Sequence, residues 1–352
     1  MRRATLSLGS TCSNACIFCG LRDDAPRAEL AVPSLDRLRA LREASSAITL
    51  GGGEPTLAPD VLEAAVRAAR DVGFTAIGVQ TNGHGLAAIA GSLASAGLTD
   101  VHVSLHGADA RVHDYHTGRE GSFDVLWNAV AAARAAGLRV VATTVLTRSD
   151  FRVLSEIPML LQARGVEAWQ VAVPLARGVA SEHFDRVYPR LALALPFALH
   201  ALEIARRVGL RAYVSGAPLC LLGPLASRSI AHPERDGART FHARCDGCAA
   251  REVCPGIDPI YLARFDGDEL RAREDRPSGA DHEPVASLFV GAGELLPIRA
   301  RSVHEPVQTA RKALPMYGRA RRGVNEAATR SAKSGEALRE ILPALFEREE
   351  DG

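Results

Sequence analysis

Short segments rich in Val, Ile, Leu and Thr alternate with longer stretches of helical period through the first half of the chain, and this alternation constrains the fold more than any other feature. Strands read at Ala4–Leu8, Ala47–Leu50, Ala76–Gln80, Val101–Leu105, Arg139–Leu146 and Trp169–Pro174. Helices read around Leu35–Ala44, Pro59–Val72, Gly85–Ala96, Phe123–Ala136 and Phe151–Arg164. A further helix, Arg190–Val208, leads into a short strand at Arg211–Ser215, where the pattern stops. Repeated β–α units imply an α/β fold with a parallel sheet, because each helix carries the chain back to the end where the next strand begins. In such arrays the loops after the strand C-termini share one face, and functional residues collect there.

Residues 216–270 carry four cysteines, many turn residues and little periodicity, as expected of a small region organised by a metal rather than by an apolar core. Beyond it the chain is highly charged and poor in aromatics, with one apolar stretch at Val285–Leu296, a helix read at Gly335–Glu347 and a solvated acidic terminus. Three regions are therefore expected: residues 1–210, 211–270 and 271–352. The 42 basic and 41 acidic residues nearly cancel, which removes any global electrostatic case for nucleic acid or an anionic membrane. No secretory h-region and no run of 18 apolar residues appears, so a cytoplasmic location is expected. In that reducing compartment seven cysteines point to metal ligands or catalytic groups rather than disulfides.

Three of those cysteines follow the first strand as Cys12-Ser-Asn-Ala-Cys16-Ile-Phe-Cys19, a C-x3-C-x2-C arrangement. A [4Fe–4S] cluster takes four thiolates, so three leave one iron open; structural zinc would need a fourth ligand from elsewhere. The second strand ends in Gly51-Gly52-Gly53-Glu54-Pro55-Thr56, a loop in which glycines permit close backbone approach and the proline stiffens the turn. Together these two motifs resemble the radical S-adenosylmethionine superfamily, whose signature is the C-x3-C-x2-C spacing, often with an aromatic before the last cysteine (here Phe18), followed by a GGEP motif. The resemblance implies a partial (β/α)6 TIM-like barrel with a small C-terminal cysteine-rich cluster-binding extension. It implies that the open iron chelates S-adenosylmethionine, that one electron cleaves the sulfonium, and that the resulting 5′-deoxyadenosyl radical takes a hydrogen atom from the substrate. Cys12, Cys16 and Cys19 would hold the radical-generating cluster. Gly52, Gly53, Glu54 and Pro55 would border the S-adenosylmethionine.

The other strand-end loops fit the same resemblance. Gln80-Thr81-Asn82-Gly83 matches the family's TNG, which implies that Thr81 and Asn82 shape the pocket; Ser104 would lie near the ribose or carboxylate of S-adenosylmethionine. His113 to Gly118, with Gly121-Ser122-Phe123-Asp124, resembles a stretch whose polar side chains contact substrate, although Ser122 reads equally as a helix N-cap and His113 and His116 as packing or surface residues. Thr143, Thr144 and Thr147 on the fifth strand, and Gln170, Val171 and Val173 on the sixth, stand where the family contacts the nucleoside, yet Thr and Val are also ordinary strand formers.

The remaining cysteines are Cys220, Cys245, Cys248 and Cys254. Four thiols satisfy either a [4Fe–4S] cluster or a four-thiolate zinc site. Their spacing resembles the auxiliary-cluster extensions called SPASM or twitch domains in the single-cluster form, with Gly256 and Tyr261–Gly267 expected as a hairpin returning from the site. An electron donor such as flavodoxin or ferredoxin is implied. A peptide or natural-product precursor is the favoured substrate class from the resemblance alone, with a small-molecule or cofactor precursor as the alternative; the short stretch before Cys12 weighs against the peptide. A non-catalytic iron–sulfur, zinc or electron-transfer protein is the alternative of another class.

Overall fold

The computed structural model describes residues 3–20, 28–230 and 239–289. Eight strands form one sheet: β1 (Ala4–Ser7), β2 (Ala47–Gly51), β3 (Ala76–Thr81), β4 (Asp100–Ser104), β5 (Arg139–Val145), β6 (Ala168–Ala172), β7 (Arg211–Ser215) and β8 (Ser229–Ile230). They run in chain order with every neighbouring pair parallel. β1 and β8 do not pair, so the curled sheet is an open half-barrel, the expected partial barrel carried two strands further. β8 is only two residues long, too short to leave a periodic trace in the sequence.

The helices are α1 (Leu35–Ala44), α2 (Pro59–Asp71), α3 (Leu86–Ala96), α4 (Ala110–Thr117), α5 (Ser122–Ala135), α6 (Ile157–Ala163), α7 (Gly178–Glu182), α8 (Phe184–Val187), α9 (Leu191–Arg207) and α10 (Pro259–Phe265). α2 shows why they form. Pro59 starts it, Asp60 and Arg70 complement its dipole ends, and Leu62, Ala65, Val66 and Ala69 form one buried stripe at helical spacing.

Three local expectations are corrected. The stretch read as one helix over Phe151–Arg164 is a 3₁₀ segment (Phe151–Glu156) followed by α6, because Pro158 supplies no N–H to continue the preceding turns and instead occupies the first turn of a new helix. α5 is not capped by Ser122: the Asp114 carboxylate accepts from Gly121 N at 2.7 Å and Phe123 N at 2.9 Å, and Ser122 Oγ donates to it at 2.8 Å. Tyr261–Gly267 is not a hairpin. Asp258 caps Ile260 N at 2.8 Å and Pro259 fills the first turn, so the chain enters α10 and leaves it through Asp266 in the left-handed region. Outside the named strands, Thr240 and Ile257 form an antiparallel bridge in this region.

The base of the half-barrel is covered from the C-terminal side. Val285, Ala286 and Leu288 pack with Val141, Ala168, Tyr213 and Ile230, and Ala280 N donates to Ser229 O at 2.8 Å. The Gly335–Glu347 helix and the far part of Val285–Leu296 lie outside the described residues.

Near that base Arg3 and Asp100 form an ion pair of 2.7 Å, each side chain 2% exposed. Gly78 makes room for it, since a Cβ there would stand 2.3 Å from Asp100 Oδ1. Burial opposes ionisation of Asp100, but the His102 hydrogen bond, the Arg3 charge and Thr99 outweigh it and hold the carboxyl far below its usual range. Asp100→Ala is expected to cost roughly 3–5 kcal/mol in urea denaturation by stranding Arg3. Because the folded pKa is depressed, this contribution is complete above about pH 5 and is lost as pH falls below about 4.

Candidate active site

The loop after β1 carries Cys12, Cys16 and Cys19, all partly buried and none in a disulfide. Burial, reinforced by the neighbouring Cys19 and Cys12, pushes the Cys16 thiol up to about 12. Cysteines that hold an iron centre would do so as thiolates. Among the described residues no three Cys, His, Asp or Glu side chains converge as they would around a single metal ion. Three thiols on one loop fit a [4Fe–4S] cluster with one open iron.

Four other strand-end loops grip this one. After β2, Gly52 and Gly53 have φ of 84° and 57°, and a Cβ on Gly53 would stand 2.2 Å from Thr11 O; Glu54 N donates to Thr11 O at 2.8 Å. The glycines are thus needed where the chain crosses itself. The Glu54 side chain is wholly buried and accepts from Thr56 N (3.0 Å), Thr56 Oγ1 (2.6 Å), Thr81 Oγ1 (2.6 Å) and Asn82 N (2.6 Å). Both oxygens are therefore committed to tying the β2 loop to the β3 loop, and Pro55 is buried in the turn that follows. From α4, Thr117 O accepts Ala15 N at 2.9 Å and His116 O accepts Ile17 N at 3.1 Å. Gly118, with φ of 65°, lets the two segments touch: a Cβ there would lie 2.7 Å from Ala15 O. From α7, Ala180 N donates to Cys19 O at 3.2 Å, and Ala180 and Val187 close an apolar pocket on Ile17 and Phe18.

The Phe18 ring packs against His106, tilted by 56° with centroids 4.4 Å apart. Of the packing and surface alternatives for His113 and His116 the structure takes the first: both side chains are buried. His116 Nδ1 bonds Val112 O at 2.6 Å, so Nε2 accepts from Ser149 Oγ at 2.7 Å and Thr147 Oγ1 at 2.9 Å. Beside it Asp150 is fully buried, and burial pushes its carboxyl up to about 8. Burial also holds His113 down, to about 4.

Inside the half-barrel the inward-facing residues border an open cleft. Thr49, Gln80, His102, Ser104, Thr143 and Gln170 line it, with Leu288 and Phe289 also on its wall. Closed (β/α)8 barrels fill this space with branched apolar side chains, so a polar lumen marks a place for a ligand. Burial lowers the His102 pKa, and its Nε2 bonds Asp100 Oδ1 at 2.8 Å. The polar lining left only weak marks in the sequence, namely Gln and His inside predicted strands. A larger hollow bordered by Trp127, Arg134 and Arg164 lies against α5 and holds no cysteine or buried acid.

Ser104 thus faces the lumen, and Asn82 reaches the thiol loop. Thr144 and Val173 do not join them. Thr143 points inward, so Thr144 points to the helix side, donating to Leu105 O at 2.6 Å and accepting from Trp169 Nε1 at 2.9 Å; Val173 is buried in the main core. Cys220, Cys245, Cys248 and Cys254 line one small cavity with Leu219, Phe241, Ile257 and Leu270. Backbone N–H groups point at two of these sulfurs: Arg273 N to Cys248 at 3.3 Å and Gly256 N to Cys254 at 3.4 Å. Burial raises the Cys220 and Cys245 thiols. Asp258 Oδ2 accepts Ala176 N at 2.9 Å, which joins this region to the loop after β6.

Residues 6–150 match the model of the Radical SAM superfamily. A probable GTP 3′,8-cyclase of Methanopyrus kandleri is 33% identical over 165 residues, 46% of this chain and 52% of that protein. The mycofactocin maturase MftC of Mycobacterium tuberculosis is 33% identical over 175 residues, 46% of this chain and 42% of that protein. The chain spans about half the length of the curated relatives it matches. Among solved structures, SuiB of Streptococcus suis superposes with a TM-score of 0.49 at 18% identity, covering 67% of this chain and 53% of that one. No helix among the described residues is long and apolar enough to cross a membrane.

Proposed function

Because this chain belongs to the radical S-adenosylmethionine superfamily, we propose that Cys12, Cys16 and Cys19 hold its [4Fe–4S] cluster and that the polar lumen receives the substrate carbon to be attacked. The observation that carries this reading is the convergence of the β2, β3, α4 and α7 segments on the three-thiol loop, which follows the C-terminal end of β1 in the sheet that walls the lumen. When bound, the cluster and S-adenosylmethionine supply the radical that removes a substrate hydrogen atom. The residues of the chain do the rest. Glu54 and Gly53 fix the loop, Phe18, Ala180 and Val187 exclude water from it, and Ser104, Gln80 and Gln170 offer hydrogen bonds to what enters. Gly52, Gly53 and Pro55 would border S-adenosylmethionine through backbone atoms, since the Glu54 carboxylate is already occupied.

For the substrate we favour a peptide or natural-product precursor. A relative named as a maturase supports it. So does the charge of the lumen: Arg3 is the one cation on its lining among the described residues, and it is paired with Asp100, which leaves nothing there to neutralise phosphates. The relatives named as GTP 3′,8-cyclases favour the second reading, a small-molecule precursor. Anaerobic incubation with S-adenosylmethionine, a reductant and either candidate precursor peptides or GTP separates them. The first reading expects a peptide mass change that accompanies 5′-deoxyadenosine release; turnover of GTP with every peptide unchanged would reject it. A flavodoxin or ferredoxin is the proposed electron donor.

The second cysteine set is proposed as an auxiliary [4Fe–4S] site. Four thiols gathered around one cavity, with backbone N–H donors on two of the sulfurs, meet the full ligand demand of such a cluster. Cys245→Ser combined with Cys248→Ser is expected to remove about four of about eight irons while leaving substrate-free 5′-deoxyadenosine formation in place. Loss of zinc with no change in iron would make the site structural.

A further inference from the structure

Asn82 follows β3 and is fixed at every polar atom but its carbonyl. Its backbone N donates to Glu54 Oε2 at 2.6 Å, and its Oδ1 accepts from His84 N at 3.0 Å. That second bond settles the orientation of the amide: with Oδ1 committed to an N–H, the NH₂ group must face the other way. It faces the thiol loop, where Nδ2 lies 3.1 Å from Ser13 Oγ and 3.7 Å from Cys12 Sγ. The backbone N of Asn14 approaches the same sulfur at 3.5 Å. The anchor behind Asn82 is rigid, because Glu54 is completely buried and its other oxygen is held by Thr56 and Thr81.

We infer that Asn82 is a positioning residue that tunes the reduction potential of the cluster on Cys12, Cys16 and Cys19 by donating an N–H···S hydrogen bond to the Cys12 ligand. The inference rests on the cluster assignment made above. Adding an electron to the cluster increases the negative charge on its thiolates, so an N–H donor stabilises the reduced form more than the oxidised one and raises the potential. Without that bond the cluster is harder to reduce. A residue that merely held two loops together would change stability and leave the potential where it was.

The test uses the whole chain, reconstituted anaerobically, in wild-type form and as Asn82→Leu and Asn82→Asp. Leu removes the amide. Asp keeps its shape and the acceptor for His84 N but removes the N–H donor, so it decides the matter if the Leu variant folds poorly. Midpoint potentials are read by electron paramagnetic resonance during reductive titration, following the signal that changes when S-adenosylmethionine is added. Both variants are expected to retain their iron and to titrate at more negative potentials than wild type, Asp lower than Leu because it adds a carboxylate beside the sulfur. With a fixed reductant, 5′-deoxyadenosine formation is expected to slow about tenfold. A wild-type potential in Asn82→Asp overturns the inference while leaving the cluster assignment intact; a wild-type protein with no S-adenosylmethionine-responsive signal removes the cluster assignment and the inference together.

Discussion

Cys16→Ala is expected to reduce 5′-deoxyadenosine release to the level of a protein-free control and to remove about four irons per chain. Cys16 is the central thiol of the loop, and the structure leaves no substitute for it. The loop backbone on both sides is fixed, with Ala15 N and Ile17 N bonded to Thr117 O and His116 O, so it cannot slide to present another ligand. Removing this thiol leaves two ligands where three already make an incomplete set. The far-ultraviolet circular dichroism spectrum is expected to be unchanged, because the sheet and its helices are built from core residues that do not include this loop. Release at the wild-type rate from a correctly folded variant would show that the thiol loop is not where S-adenosylmethionine is cleaved.

Glu54→Ala is expected to damage both stability and iron retention without touching a cysteine. The side chain is wholly buried and takes four hydrogen bonds, two from backbone N–H groups and two from hydroxyls. Truncation strands those donors, and an unsatisfied buried donor costs about 1–3 kcal/mol. Partial relaxation of the hydroxyls brings the total to roughly 3–5 kcal/mol, a fall of about 6–20 °C in Tm for a domain of this size. Iron retention should fall as well, since Asn82, which reaches the thiol loop, loses its anchor on the carboxylate. Glu54→Gln keeps the shape but turns an NH₂ toward N–H and O–H donors, so it is expected to show about half the loss. A melting temperature within a degree or two of wild type for Glu54→Ala would mean that the two loops are held by something other than this carboxylate.

The fold was largely legible because its main determinant is periodic. Each β–α unit announces itself by a change from a short β-branched run to a helical stripe, and seven of the eight strands stand where that pattern put them. β8 escaped because two residues carry no period. Stretches where turn chemistry competes with periodicity were read less well: Pro158 divided an apparently continuous helix, and Asp258-Pro259 began one where a hairpin was expected. Thiol spacing, the glycine run and the TNG turn were visible because each is local in the sequence. What Glu54 and Asn82 do was not, since a bond over 28 residues and another over 70 leave no local trace. The lumen was equally hidden. Its lining comes one or two residues at a time from strands all around the sheet, and only the register tells Thr143, which faces the cleft, from Thr144, which faces the helices.

The central claim is that this chain cleaves S-adenosylmethionine reductively at the Cys12, Cys16 and Cys19 loop. The most direct measurement is therefore 5′-deoxyadenosine and methionine release by the anaerobically reconstituted wild-type protein, given S-adenosylmethionine and dithionite. The account predicts equimolar release of both that requires iron, sulfide and reductant together. No 5′-deoxyadenosine from a protein that carries its full complement of about eight irons would contradict it.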